Sequence, residues 1–213
     1  VNTSTSSQSA TITVTPSYTN YGVICSGNSD QFTIPVNPSA QVNDVTNYNT
    51  ILCDGEFTPV YSFTTANTDG LTSFNWTNNN VAIGLAASGE GGIPSFQVTN
   101  STQSTISATI TVTPSYENNG IICDGNAETF TITVNPSPEM DNVEDVVLCN
   151  NEISSIIEFT TPNTDGNTTY TWTNDNTSIG LSSSGNGDIP SFTAINLNPI
   201  SEVATITVTP TYE

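Results

Sequence analysis

The segment Ala10-Thr-Ile-Thr-Val-Thr-Pro16 recurs in this sequence as Ala108 to Pro114 and again as Ala204 to Pro210, at offsets of 98 and 96 residues. Within each copy an apolar side chain alternates with threonine, and a period of two residues is typical of a β-strand with one buried face. Threonine, valine and isoleucine also favour strands. The segment therefore predicts an antiparallel strand that returns once in every structural unit.

Other features recur at the same offsets. A unit of about 97 residues is long enough to bury its own core, so the repeat predicts a string of domains rather than a solenoid. The matches are Trp76 with Trp172, Cys25 with Cys123, Cys53 with Cys149, Thr68-Asp69-Gly70 with Thr164-Asp165-Gly166, Ile93–Phe96 with Ile189–Phe192, and Phe32–Pro38 with Phe130–Pro136.

The unit boundaries are predicted at Val36–Ser39 and Val134–Ser137, where a strand pattern runs into proline, which cannot continue a ladder. Three parts result. Residues 1–37 are the C-terminal part of a first β-sandwich repeat, residues 38–135 are a complete repeat, and residues 136–213 are a third repeat that lacks its last strand.

No stretch of the middle repeat has a sustained helical period, and its short strand patterns are separated by Asn, Asp and Gly turns. About seven short strands with a tryptophan in the third predict an antiparallel, immunoglobulin-like β-sandwich. Trp76 and Trp172 are predicted as core anchors, because a sugar-binding tryptophan would have to be exposed. The predicted strands are Val42–Leu52, Pro59–Thr65, Ser73–Asn78, Val81–Ala86, Ser95–Thr99, Ala108–Tyr116 and Glu128–Val134.

The composition removes several classes of function. The chain of 213 residues has 20 acidic side chains and no lysine, arginine or histidine, so its formal net charge is −20. Nucleic acids and anionic lipid surfaces are bound through positive side chains, and neither is an expected partner. A serine or cysteine nucleophile would have no histidine base. No apolar run approaches the length of a membrane helix. We therefore expect a protein that is not an enzyme and whose role is structural or binding.

The phrases Ala-Thr-Ile-Thr-Val-Thr-Pro, Thr-Phe-Thr-Ile-Thr-Val-Asn-Pro, Trp-Thr-Asn-Asn-Asn and Ile-Pro-Ser-Phe carry a resemblance. They resemble the PKD-like, immunoglobulin-like repeats of giant Bacteroidota cell-surface adhesins of the SprB gliding-motility type. The resemblance extends over essentially the whole chain, and its motifs are structural rather than catalytic. It implies tandem PKD-like β-sandwich domains, export by the type IX secretion system, and an extracellular position at the cell surface.

The four cysteines are candidates for disulfide bonds, because an exported protein meets an oxidising environment. Pairing within a repeat would join Cys53 to Cys123, whereas pairing across boundaries would join Cys25 to Cys53 and Cys123 to Cys149. Free thiols are the third alternative. A metal site made of cysteine alone is not expected, since the sequence has no Cys-x-x-Cys.

Calcium is the only cofactor that the residues leave open. Asn67–Gly70, Asn163–Gly166, Asp54, Asp124 and the run Glu139–Asp145 offer oxygen ligands, and the run makes the second boundary the favoured place. The alternative for the Asp-Gly pairs is an ordinary turn. A complete calcium loop of the Asp-x-Asp-x-Asp-Gly kind is missing, so no metal ligands are assigned.

The sequence-based expectation is a stalk or filament segment of a very large secreted adhesin, with neighbouring repeats of the same chain and an extracellular surface or polysaccharide as partners. The alternatives are a multivalent carbohydrate- or protein-binding module, a spacer in a secreted enzyme, and a self-assembling filament subunit. Tyr18, Tyr116 and Tyr212 recur in phase. Their exposure discriminates between a binding module and a spacer.

Overall fold

The computed structural model describes all 213 residues, and its regular structure consists of β-strands and three short 3-10 turns. The prediction of an all-β chain is confirmed. No helix in it has the length and apolar character needed to cross a membrane. The turns are Thr46–Tyr48, Val81–Ile83 and Thr177–Ile179. The strands are β1 Gln8–Val14, β2 Ser17–Asn20, β3 Val23–Ser26, β4 Asp30–Val36, β5 Thr50–Cys53, β6 Leu71–Asn78, β7 Ser88–Glu90, β8 Ile106–Asn118, β9 Ile121–Asp124, β10 Glu128–Asn135, β11 Thr168–Asn174, β12 Ser184–Asn186 and β13 Ile206–Tyr212.

The strands form four sheets. The largest has the order β5-β10-β8-β6-β7, with β9 paired to β8. A three-stranded sheet has the order β12-β11-β13, and β1-β4 and β2-β3 are two-stranded. By contacts the chain divides into two compact units. The first is Val1–Thr50, Thr58–Phe96 and Ala108–Ile132, and the second is Ile51–Phe57, Gln97–Ser107 and Thr133–Glu213.

In the first unit, β6 lies between β7 and β8 and is antiparallel to both. Trp76 on β6 stands opposite Val112 on β8 and Gly89 on β7. Alternate residues of β8 are buried, as the repeat of apolar and threonine side chains predicts. An aromatic cluster completes the core, in which the ring of Phe130 lies 5.0 Å from Tyr61 and 5.6 Å from Tyr48.

The second unit repeats part of this arrangement. On β11, Trp172 stands opposite Val208 on β13 and Gly185 on β12, each position 96 residues after its counterpart. The core here is a cluster of five buried side chains, Phe159, Tyr170, Trp172, Leu181 and Ile189. The recurrence of sequence is therefore accompanied by a recurrence of strand pairing.

The predicted strand Val81–Ala86 is wrong. Residues Val81–Ile83 form a 3-10 turn that begins after Asn80, whose side chain accepts a hydrogen bond from the Ala82 N–H at 3.2 Å. Gly84 ends the turn with a φ of 92°. A short apolar run is compatible with either conformation, and here the asparagine cap and the left-handed glycine decide the outcome.

Three other predicted strands differ from the expectation. Of Val42–Leu52, only the end is a strand, β5. The segments Pro59–Thr65 and Ser95–Thr99 form no strand, and they pair with other segments only through isolated bridges, which join Tyr61 to Ile93 and Phe57 to Gln97. Each bridge still fixes a register, since Tyr61 and Ile93 exchange two backbone hydrogen bonds of 2.9 Å.

Candidate functional site

The places where the chain passes from one predicted repeat to the next carry the most specific polar contacts. At the first junction, residues 36–41 and their partners, the side-chain oxygen of Asn67 accepts a hydrogen bond from the Gln41 N–H at 2.7 Å. Its amide nitrogen donates to the Ser39 carbonyl at 3.1 Å. The adjacent Thr68 N–H donates to the Thr5 carbonyl at 2.8 Å. Asn67 thus binds the linker, and Thr68, the next residue, binds the preceding repeat.

The second junction, residues 134–139 and their partners, is built in the same way. Asn163 accepts from the Glu139 N–H at 2.8 Å and donates to the Ser137 carbonyl at 3.2 Å. Thr164 N–H donates to the Gln103 carbonyl at 2.9 Å. Every one of these residues lies 96 or 98 residues after its counterpart. The same three hydrogen bonds therefore form at both junctions, although the second has Glu139 at the position of Gln41 and Gln103 at the position of Thr5.

A second asparagine ties the end of the last strand of a repeat, β4 or β10, to the loop before the strand that pairs with it, β1 or β8. Asn2 donates from its amide nitrogen to the carbonyls of Ser6 and Val36, both at 2.8 Å. Asn100 is 3% exposed and repeats both contacts at 2.8 Å, to Ser104 and Val134. A buried amide that donates both its hydrogens stabilises one loop conformation and excludes others. Sequence reasoning missed this pair, although its spacing of 98 residues was a usable signal.

The linkers themselves are not free chain. Pro38 and Pro136, which follow the last strand of the first and middle repeats, are both buried. Ala40 is 3% exposed and lies against Gly125, where any Cβ would overlap the Ala40 carbonyl. A linker that is buried and hydrogen-bonded behaves as part of the fold, in contrast to a flexible Gly/Ser connection.

The three in-phase tyrosines have different environments. Tyr116 is fully buried, and its hydroxyl donates to the Thr68 carbonyl at 2.9 Å. Tyr212 is partly buried, donates to Asp165 at 3.1 Å and shares a hydrogen bond of 3.2 Å with the Thr105 hydroxyl. Tyr18 is 67% exposed. The three positions therefore do not form a recurring exposed aromatic surface.

The acidic residues named as calcium candidates are dispersed or occupied. No group of three or more His, Cys, Asp or Glu side chains is placed to hold a metal ion. Asp54 accepts from the Asn100 N–H at 2.8 Å and the Ser137 hydroxyl at 2.9 Å. In the run Glu139–Asp145, Asp141 accepts from the Thr160 hydroxyl at 2.6 Å. These carboxylates act as hydrogen-bond acceptors for nearby chain segments.

The Asp-Gly pairs form turns. Asp69 has a φ of 68° and Gly166 a φ of 73°, so the left-handed residue is the aspartate in one repeat and the glycine in the next. In the third repeat the carboxylate has a partner in the preceding repeat, because both Asp165 oxygens lie 2.9 Å from the Thr105 nitrogen and accept its hydrogen bond.

All four cysteines are free thiols in this structure. Cys25, Cys53 and Cys149 are exposed and Cys123 is partly buried. Cys25 stands opposite Tyr18 in the β2/β3 hairpin, and Cys123 stands opposite Tyr116 in the β8/β9 hairpin. The disulfide alternatives remain predictions, which a count of reactive thiols before and after unfolding would decide.

The two tryptophans are buried, with 7% of Trp76 and 4% of Trp172 exposed. A Cβ at Gly89 or Gly185 would overlap the neighbouring indole ring, so glycine is required opposite each tryptophan. Neither indole N–H has a hydrogen-bond partner in the protein, and the rings therefore act through packing.

Two side chains have displaced pKa values. Burial raises the pKa of Tyr61 above its usual value, partly offset by its hydrogen bond to the Thr50 hydroxyl. The hydrogen bonds that Asp44 accepts from Thr46 lower the pKa of its exposed carboxyl. Tyr61 belongs to the core and Asp44 to a turn, and neither lies at a junction.

No protein-family model matches this chain, and no curated protein matches it.

Proposed function

We propose that the chain is a stalk segment of a very large secreted cell-surface adhesin, exported by type IX secretion and active in surface attachment and gliding motility. In this proposal the units are tandem immunoglobulin-like, PKD-like β-sandwich repeats of about 97 residues. Their partners are the neighbouring repeats of the same chain, and the stalk sets the distance between the cell and an adhesive tip without catalysing a reaction.

The observation that carries the proposal is the recurrence of the junction contacts. Asn67 and Asn163 hold the two linkers through the same pair of hydrogen bonds, and Thr68 and Thr164 reach back to the preceding repeat. A contact set that returns at every boundary allows units to be added in series, each contacting only its neighbours. A chain whose only role is to bind a ligand would not need the same contacts at every boundary.

The junctions also suit a protein that transmits force. Pro38 and Pro136 are buried, and the linkers are hydrogen-bonded to the side chains of Asn67 and Asn163. A pulling force would therefore meet backbone and side-chain hydrogen bonds at each boundary before it extended the chain. The chain has no positively charged side chain to offset its acidic residues. The resulting negative charge keeps neighbouring stalks apart and in solution.

The tyrosines favour the stalk over a multivalent binding module. Such a module needs the same exposed platform in each repeat, because avidity depends on equivalent sites. Tyr116 is fully buried and its counterpart Tyr212 is partly buried, so this repeat position offers no exposed platform. Tyr21 is almost fully exposed, but the residue 98 positions later is Asn119.

Competition in a cell-attachment assay separates these functions. An excess of the purified chain is added to cells that display the full protein, and the fraction that attaches to glass or polysaccharide is measured. A stalk segment leaves attachment unchanged. A binding module lowers it, and the loss is then reversed in a Tyr18→Ala/Tyr21→Ala variant. Inhibition by the unmodified chain would contradict the stalk function.

A further inference from the structure

A hydroxyl group and an asparagine amide meet at the end of the first repeat and at the end of the middle repeat. In the middle repeat, the Thr105 hydroxyl donates to the side-chain carbonyl of Asn135 at 3.1 Å. In the first repeat, Ser7 donates to the side-chain carbonyl of Asn37 at 2.7 Å. Both pairs join the loop before a strand, β8 or β1, to the end of its pairing partner, β10 or β4. A nucleophilic oxygen thus lies beside an acyl carbon in two repeats.

Each of these asparagines is followed by a proline, Pro38 or Pro136. The usual intramolecular reaction of an asparagine side chain is attack by the backbone nitrogen of the next residue. Proline has no N–H and therefore closes that route. The nucleophile that remains beside the amide of Asn135 is the Thr105 hydroxyl.

The Thr105 pair lies beside a group that can take up the hydroxyl proton. The Tyr212 hydroxyl shares a hydrogen bond of 3.2 Å with the Thr105 hydroxyl and donates to Asp165 at 3.1 Å. A carboxylate that is reached through one hydroxyl can act as a general base. Asp165 also accepts the hydrogen bond of the Thr105 N–H, which fixes the backbone that carries the nucleophile.

The Ser7 pair lacks this proton acceptor. The hydrogen-bond partners of Ser7 are Asn37 and Asn118, and neither is a carboxylate or a tyrosine. The amide nitrogen of Asn37, which would have to leave, donates to the Asn118 carbonyl at 3.2 Å. Tyr116, the counterpart of Tyr212, donates its hydroxyl to a backbone carbonyl instead. The chain therefore contains one complete reaction site and one incomplete copy of it.

We propose that Thr105 and Asn135 form an ester crosslink without the help of another protein. Thr105 Oγ1 attacks the Asn135 Cγ, while the hydroxyl proton passes through Tyr212 to Asp165. The carbon–nitrogen bond of the side-chain amide then breaks, the proton returns to the nitrogen, and ammonia leaves. The product joins Thr105 Oγ1 to the Asn135 acyl carbon. The reaction needs no oxidant, reductant or further reactant.

The fold supplies the conditions under which an unreactive amide reacts. Groups that are held in position have effective concentrations of about 10⁵–10⁸ M. Asn135 is fixed by its backbone carbonyl, which accepts from the Asp54 N–H at 3.0 Å. Thr105 and Asn135 are both partly buried, which limits attack by water on the ester. Ammonia escapes into the solvent, so the reverse reaction is slow.

The crosslink closes a loop between residues 30 positions apart on paired strands. β8 and β10 then cannot separate at this end unless a covalent bond breaks. The inference rests on the local geometry of four side chains and does not depend on the stalk function.

Peptide mapping of the purified chain tests the link. Digestion after glutamate in denaturant places Thr105 in peptide 91–117 and Asn135 in peptide 129–139. We expect mass spectrometry to find these peptides joined, with a mass one ammonia below their sum. Mild alkali should separate them and leave a carboxylic acid at position 135, because it hydrolyses an ester. Peptide 1–56, which carries the Ser7 pair, should keep its full mass.

The variant Asp165→Asn separates the chemistry from the structure. Its side-chain oxygen still accepts the hydrogen bonds of Tyr212 and of the Thr105 N–H, but it cannot take up a proton. We expect the linked form to appear about a hundredfold more slowly after cell-free synthesis, with an unchanged circular dichroism spectrum. Asp165→Glu should restore part of the rate. Thr105→Val should give no link, and Ser7→Ala, the matched control, should link at the normal rate.

Separate peptides 91–117 and 129–139 from the unmodified chain would overturn the proposal. So would joined peptides in Thr105→Val, since the link would then involve a different residue. An equal rate in Asp165→Asn, or the loss of one ammonia through a Ser7–Asn37 link, would overturn it by showing that the carboxylate is not needed.

Discussion

A single buried hydroxyl group contributes to the stability of the fold, as the hydrogen bond of Tyr116 indicates. Tyr116 is fully buried and donates to the Thr68 carbonyl at 2.9 Å, while Tyr18 is 67% exposed. Tyr116→Phe removes the hydroxyl and leaves the Thr68 carbonyl without this donor. We expect a loss of about 1 kcal/mol in the free energy of unfolding, measured by urea denaturation. Tyr18→Phe is the matched control and should change it very little. An equal loss of stability in the two variants would contradict the buried position of Tyr116 and the exposed position of Tyr18.

The raised pKa of Tyr61 predicts that the free energy of unfolding depends on pH in the alkaline range. Its pKa is raised by burial, so the unfolded chain loses this proton first as the pH rises above about 10. The stability contributed by the neutral phenol is complete below that pH and is lost as the pH rises toward the raised value. The chain has no lysine or arginine, so no basic side chain loses a proton in this range. Tyr61→Phe should show a shallower loss of stability between pH 10 and 11; an unchanged slope would contradict the burial argument.

At the scale of elements, strands with a strict two-residue alternation were predictable, and elements fixed by a cap or by a remote partner were not. The alternation in β8 gave its type and its buried face. The Val81–Ile83 turn depends instead on the Asn80 side chain and the left-handed Gly84. A short apolar run does not reveal which of these local interactions prevails.

The junctions show a similar limit. Recurrence in the sequence singled out Asn67–Gly70 and Asn163–Gly166, whose oxygen-rich residues suit an ordinary turn or a calcium site. Only the fold reveals that their partners are linker backbone groups, 24 to 28 residues earlier in the chain. Partners that far apart in sequence are joined by topology, which a residue pattern alone does not specify.

The first junction makes a prediction about local opening. Asn67→Ala removes the acceptor of the Gln41 N–H and the donor to the Ser39 carbonyl. A loss of about 1 kcal/mol in local stability corresponds to an approximately fivefold faster exchange of the Gln41 amide hydrogen. Hydrogen–deuterium exchange with mass spectrometry measures this rate. Asn47→Ala, on an exposed turn, is the control; an unchanged rate in Asn67→Ala would show that the linker is held by other contacts.

At the scale of the whole molecule, charge makes the fold depend on salt. The only positive group is the N-terminal amine, against a formal charge of −20. Sodium chloride screens the repulsion between the acidic side chains, and the chain has almost no ion pairs that salt could weaken. Salt should therefore stabilise the fold. If raising it from about 0.01 M to 0.3 M adds about 1 kcal/mol, the melting temperature rises by about 2–4 °C. A calorimetric melting temperature that falls with salt would contradict a surface dominated by repulsion.

The central claim is that the chain is a stalk of serially joined, force-resistant repeats, and single-molecule stretching tests it most directly. The Thr105→Val chain, in which the proposed ester cannot form, is held between marker domains with its cysteines reduced and is extended at constant speed. We expect the middle repeat, residues 38–135, to unfold in one discrete event that releases about 33 nm of contour length. Smooth extension at low force, with no event of that length, would contradict the account.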